Sequence, residues 1–115
     1  DKEIHKTALG AEDMLKIDSS DEIKTDLVQL KEDGWQIVGL ENNLKSDRLV
    51  PLNDERLKER IEDRVVLILG EEVHGIDNSL YELIDLFVEI PMKGRKESFN
   101  VSVAAGIAMY GIMNL

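Results

Sequence analysis

Ser98 and Asn100 flank Phe99 in the stretch ESFNVSVAAG, Glu97 to Gly106. With a period of two, Phe99, Val101 and Val103 share one face of a strand. With the helical period, Val101, Ala104, Ala105, Ala108 and Ile112 form one stripe. The helical pattern spans more residues and predicts a helix from about Asn100 to Met113, with Ser98 or Asn100 as its cap. Such a helix starts with two polar side chains and several unpaired N–H groups, which is a place to hold a ligand. As caps alone the two residues would satisfy orphan amides, worth about 1 kcal/mol each. One cap would suffice, however, and Phe99 between them would be forced to a loop surface or into a cleft, where it could flank a ligand plane.

A second group is GEEVHG, bracketed by Gly70 and Gly75. The glycines serve either as turn residues that permit positive φ or as positions where a side chain would block a flat ligand from the backbone. Glu71 and Glu72 repel one another, so at least one faces solvent, while the other could accept hydrogen bonds that order the loop. His74 could do acid/base work. Only His5 accompanies it, there is no cysteine, and neither histidine stands in a metal-ligand spacing, so no metal site is expected. No GxGxxG, Gly-Lys-Ser/Thr or serine triad pattern is present.

The third group is basic. Lys93, Arg95 and Lys96 are the only Lys or Arg residues after position 64, in a chain of formal net charge −10. That balance argues against the simplest kind of nucleic-acid binder, because a phosphate backbone is drawn to basic surfaces. The segment is either a solvated loop or a local phosphate contact on an acidic body.

These residues need elements to position them. SSDEIKTDLVQLKEDG reads as a helix: Ser19 and Glu22 have capping-box spacing, Ile23, Leu27 and Leu30 recur on one face, and Gly34 provides the stop. WQIVGL, Trp35 to Leu40, reads as a strand, Glu41 to Leu52 as a loop, and NDERLKERIED as a short helix capped by Asn53. RVVLILG holds five successive apolar residues, Val65 to Leu69, which predicts a central strand covered on both faces. NSLYELID makes about two helical turns and LFVEIP a short strand closed at Pro91. Residues 1 to 18 have no single period.

Helices alternating with strands predict an α/β domain with a mainly parallel sheet. In such sheets ligands sit beyond the carboxyl ends of the strands. Three loops therefore converge on one edge: those after Leu40, after Leu69 and after Ile90. At 115 residues, 43% hydrophobic and 33% charged, the chain fits one soluble domain, with no apolar run near the length of a membrane span. The charged start and the lack of cysteine point to the cytoplasm.

LILGEEVHGID, followed by IPMKGRKESFNVSVAAGIAMY, resembles the second and third motifs of the SpoU/TrmH class of SPOUT methyltransferases. KTALGAE and LKEDGWQIVGLE are similar to the segments that precede them. The resemblance implies methylation of ribose 2′-oxygens in tRNA or rRNA with S-adenosylmethionine. It also implies a C-terminal helix threaded through a trefoil knot, an exception to un-knotted topology, and a homodimer with that helix at the subunit interface. Cofactor contacts carry over onto Gly70, Ile90 and Phe99, largely through backbone groups, with Leu40, Met92 and Gly94 as neighbours. The motif's glutamate falls on Glu72 and its polar pair on Ser98 and Asn100, near the reacting ribose. Lys93, Arg95 and Lys96 become phosphate contacts.

Two departures accompany the resemblance. Glu71 stands where the family most often has Asn. The family's first motif, a strand and helix carrying an Asn and an Arg that helps activate the ribose hydroxyl, would lie upstream of Asp1. Residues 1 to 115 are thus expected to form a single SpoU-type domain without that motif, the cofactor-binding portion of an RNA methyltransferase. The alternative is a non-catalytic cofactor-binding or dimerisation module of the same fold.

Overall fold

The computed structural model describes residues 3–7, 13–19, 22–42, 46–70, 75–91 and 101–115, with the backbone alone at 3–7, 13–19 and 101–102. In chain order the elements are β1 (Glu3–Thr7), β2 (Asp13–Ser19), α1 (Ile23–Glu32), β3 (Gln36–Leu40), β4 (Leu49–Pro51), α2 (Arg56–Arg60), β5 (Arg64–Leu69), a 3-10 helix (Asn78–Leu83), β6 (Leu86–Glu89) and α3 (Val101–Met113). The strands form one sheet in the order β1-β2-β5-β3-β6-β4. All neighbours are parallel except β1 with β2. This is the mainly parallel α/β class that the alternating pattern predicts.

The run at Val65–Leu69 is continuous because β5 lies between β2 and β3 and both its faces are covered. Side chains alternate along the strand. Val65, Leu67 and Leu69 enter one core with Ala105, Ala108 and Ile112 of α3 and Leu57 of α2. Val66 and Ile68 enter the other with Leu27 of α1, Leu80 of the 3-10 helix and Phe87 of β6. Phe87 is fully buried, and its burial alone stabilises the fold by roughly 3 kcal/mol. Of the stripe read in α3, Ala105, Ala108 and Ile112 are buried and Ala104 partly so, and the small alanines bring the helix onto β5; the Val101 side chain lies outside the described residues. Gly106 instead faces open space, so it does not serve the close approach.

Several local expectations are corrected. Ser19 ends β2 and does not cap α1. The helix has Glu22 at its N-cap with no side-chain cap bond, since the chain is still extended at Ser19. Asn53 does not cap α2; Asp54 does that work, its Oδ1 accepting the Arg56 N–H at 2.9 Å. The 41–52 stretch is not all loop, because Leu49–Pro51 pairs with β6. Pro51 is tolerated there because β4 is the edge strand and its outer side needs no donor. The segment before residue 20 supplies β1 and β2. Gly34 does stop the first helix, with φ at 94°. The 3-10 helix takes the place of the two turns read in NSLYELID; Asp77 caps it by accepting the Ser79 N–H at 2.9 Å.

Candidate functional site at the carboxyl edge of the sheet

Parallel pairing brings the strand ends level. Leu40 lies opposite Leu69 on one side and Val88 on the other, and Pro51 lies opposite Glu89. Gly70 and Ile90 follow directly, so Leu40, Gly70 and Ile90, the three described positions to which the resemblance assigns cofactor contacts, stand side by side at the ends of β3, β5 and β6. Neighbouring parallel strands are about 4.8 Å apart, so these three ends span about 10 Å, the reach of a nucleoside. Leu40 is partly buried and Ile90 buried, which leaves mainly backbone to offer a ligand.

Gly70 is required for a reason other than ligand access. A Cβ there would lie 2.2 Å from the Gly75 carbonyl carbon and 2.3 Å from the Ile76 nitrogen. The two ends of GEEVHG are therefore folded against one another, backbone on backbone, and any side chain at Gly70 would force them apart. A side chain at Gly70 would thus meet the chain's own backbone and disturb the fold, and not only block a flat ligand. Gly75 has φ at 70°, which L side chains rarely adopt, so its turn role is real.

The side chain that secures this junction is Glu41, the residue immediately after β3. Its Oε2 accepts the Ile76 N–H at 3.1 Å and the Tyr81 O–H at 3.2 Å. Its carboxylate also lies over Gly75, where a Cβ would come within 2.8 Å of Oε1. The Glu41 N–H in turn donates to Val88 O at 3.1 Å, tying β3 to β6 beyond the paired register. Tyr81 packs edge-on against Phe87, with ring centroids 5.0 Å apart. Burial, then the charge and hydrogen bond of Glu41, raise the Tyr81 phenol above its ordinary range, so it stays a donor. Sequence reasoning named neither Glu41 nor Tyr81. The available signal was an acid placed directly after a strand on the edge where three loops meet.

Glu72, Met92, Lys93, Gly94, Arg95, Lys96, Ser98, Phe99 and Asn100 lie outside the described residues, as do Glu71 and His74. Among the described residues, no cluster of three His, Cys, Asp or Glu could hold a metal ion. No helix among them is long and apolar enough to cross a membrane.

Comparison with known proteins places this arrangement. The chain is 32% identical over 105 residues to the tRNA (guanosine(18)-2'-O)-methyltransferase of Borreliella burgdorferi, covering 91% of this chain and 45% of that protein. It is similar in structure to the Aquifex aeolicus TrmH/SpoU tRNA modifying enzyme, with a TM-score of 0.64 and 32% identity over 83% of this chain and 45% of that one. The AdoMet-bound rRNA methyltransferase of Sinorhizobium meliloti shares the fold, with a TM-score of 0.61 at 23% identity, covering 78% of this chain and 32% of that one. The chain thus spans less than half the length of these relatives. Its sequence matches the SpoU rRNA Methylase family over residues 1–110, and the chain belongs to that family.

Proposed function

We propose that this chain is the cofactor-binding portion of an RNA 2′-O-ribose methyltransferase that uses S-adenosylmethionine. The observation that carries the reading is the side-by-side position of Leu40, Gly70 and Ile90 at level strand ends, in a chain that matches the family over residues 1–110. Bound there, S-adenosylmethionine would supply an electrophilic methyl group. Backbone groups at the three strand ends would hold the nucleoside, and Met92, Gly94 and Phe99 would complete its surroundings. Glu72, Ser98 and Asn100 would shape the site near the ribose whose 2′-oxygen is methylated; that hydroxyl is a poor nucleophile until its proton is accepted, and of the three only the Glu72 carboxylate would take it. Lys93, Arg95 and Lys96 would meet phosphates of tRNA or rRNA, giving local attraction on an acidic body.

The same reading includes a cytoplasmic location, a knotted C-terminal segment and a homodimer. The dimer is supported by the outer face of α3, where Val103 is 51% and Tyr110 70% exposed on either side of Gly106. Large apolar side chains set together on one helix face favour a covering partner. Tyr110→Arg should shift the sedimentation coefficient from dimer to monomer. An unchanged coefficient, or a parent that is already monomeric, would contradict this arrangement.

The activity is tested by incubating the protein with S-adenosylmethionine labelled in the methyl group and with tRNA or rRNA transcripts, then digesting the RNA to nucleosides. The reading expects label on a ribose 2′-oxygen. Cofactor binding without transfer to either RNA would favour the non-catalytic cofactor-binding module, and no cofactor binding by the folded protein would overturn the methyltransferase reading and leave only the dimerisation module.

A further inference from the structure

Among the described residues, Asp85 and Glu41 are carboxylates that accept backbone N–H groups across the sheet, one at each edge. At the amino edge, Asp85 Oδ2 accepts the Ile37 N–H at 2.8 Å, while Oδ1 pairs with Lys31 at 2.8 Å. At the carboxyl edge, Glu41 accepts the Ile76 N–H and the Tyr81 hydroxyl. Their chemistry is alike, but what they hold differs. Asp85 joins strand starts that no candidate site residue occupies. Glu41 joins β3 to the turn on which Gly70 rests.

We propose that Glu41 is a positioning residue for the cofactor site: its carboxylate sets the Gly75–Ile76 backbone, which sets Gly70. This deepens the function proposed above and rests on it. Every link in the chain is a contact. Glu41 is itself fixed by its N–H bond to Val88 O. Its carboxylate lies over the bare Cα of Gly75, where any side chain would displace it. The Gly75 and Ile76 backbone in turn leaves no room for even a Cβ at Gly70. Ile76 is buried in the core against Phe87, and Tyr81 meets Phe87 edge-on, so the donors are held as firmly as the acceptor. Without the carboxylate, a buried amide and a partly buried phenol would seek other partners and the turn would move. Gly70 would move with it, at the strand end that carries a cofactor contact.

A merely structural role predicts that Glu41 and Asp85 variants behave alike, so the test compares them. Calorimetric titration of the protein with S-adenosylmethionine would be run on the parent, Glu41→Ala, Glu41→Gln, Tyr81→Phe and Asp85→Ala, each with its urea midpoint. Glu41→Ala should weaken binding about tenfold or more, and Tyr81→Phe, which keeps the Ile76 bond, about threefold. Glu41→Gln retains an acceptor oxygen and should stay within about threefold of the parent. Asp85→Ala should lower the urea midpoint yet leave affinity unchanged. Parent-like affinity in Glu41→Ala, or an equal loss in Asp85→Ala, would overturn the inference. If Glu41→Ala does not fold, parent-like affinity in Tyr81→Phe would do the same. A folded parent that does not bind would instead overturn the proposed function, and this inference with it.

Discussion

The two edges of the parallel sheet are built in opposite ways. At the amino edge, side chains satisfy the backbone of the strand starts, beside an open depression of about 390 Å³ lined by Gly34, Glu62, Asp63 and Arg64. Gln36 is buried, with its Nε2 donating to Arg60 O at 2.8 Å and its Oε1 accepting the Glu62 N–H at 3.0 Å. The Arg64 guanidinium covers the Trp35 ring at 4.3 Å and donates to Asp33 O at 2.8 Å. Asp85 adds bonds to the Ile37 N–H and to Lys31. At the carboxyl edge, level strand ends meet a turn that is bare backbone at Gly70 and Gly75, and one carboxylate, Glu41, organises what is described there. One edge uses its polar side chains to satisfy itself, whereas the other keeps its backbone near the surface. Parallel sheets put ligands at the second kind of edge for topological reasons. Here the hydrogen bonding of individual residues carries the same division.

The sharpest way to break this contrast is Gly70→Ala. Because its Cβ would meet fixed backbone and not a flexible side-chain tip, the substitution should lower stability by about 3 kcal/mol in urea denaturation. A loss within experimental error would show that the turn is not packed as described. Next in size is Asp85→Ala at the amino edge. Leaving the Ile37 N–H without its acceptor should cost about 1–2 kcal/mol, most of it from that bond, since the Lys31 pair is over a third exposed on Asp85 and so well screened.

Two pH experiments sharpen the comparison at smaller scale. The side-chain and then the backbone hydrogen bonds from Arg56 lower the Asp54 carboxyl from 3.8 to about 2. A folded-state value below the unfolded one means that the contribution is complete above pH 3.8 and disappears as pH falls toward about 2. Asp54→Asn should therefore be less stable than the parent at neutral pH, with the gap closing across that acid window. Tyr81 gives the converse case. Its raised value means that the folded chain keeps the phenol proton while the unfolded chain loses it above 10.0, so stability falls as pH rises past that point. Tyr81→Phe should flatten this alkaline decline, measured as urea midpoints between neutral and strongly alkaline pH.

Much of the fold was legible because its signals are local. The continuous run at Val65–Leu69 read as a strand covered on both faces, and the stripe that includes Ala105, Ala108 and Ile112 read as a helix. The strand at Leu49–Pro51 was not legible, since three residues cannot show a period and its pairing with β6 is purely tertiary. The same holds for β1 and β2, whose apolar residues follow no single period. At the site, convergence of three loops was legible from strand direction alone. Glu41 was not, because its role depends on the Ile76 amide 35 positions away. Gly70 was singled out, but its reason was invisible: only the fold shows that the nearest obstacle is Gly75.

The central claim is that the carboxyl edge is the cofactor site and the amino edge is not. Amide hydrogen exchange, compared with and without saturating S-adenosylmethionine, tests it most directly. The account predicts added protection at Glu41, Gly70 and Ile76, with exchange unchanged at Trp35, Ile37 and Arg64. Protection at the amino edge, or no change anywhere in a folded protein, would contradict it.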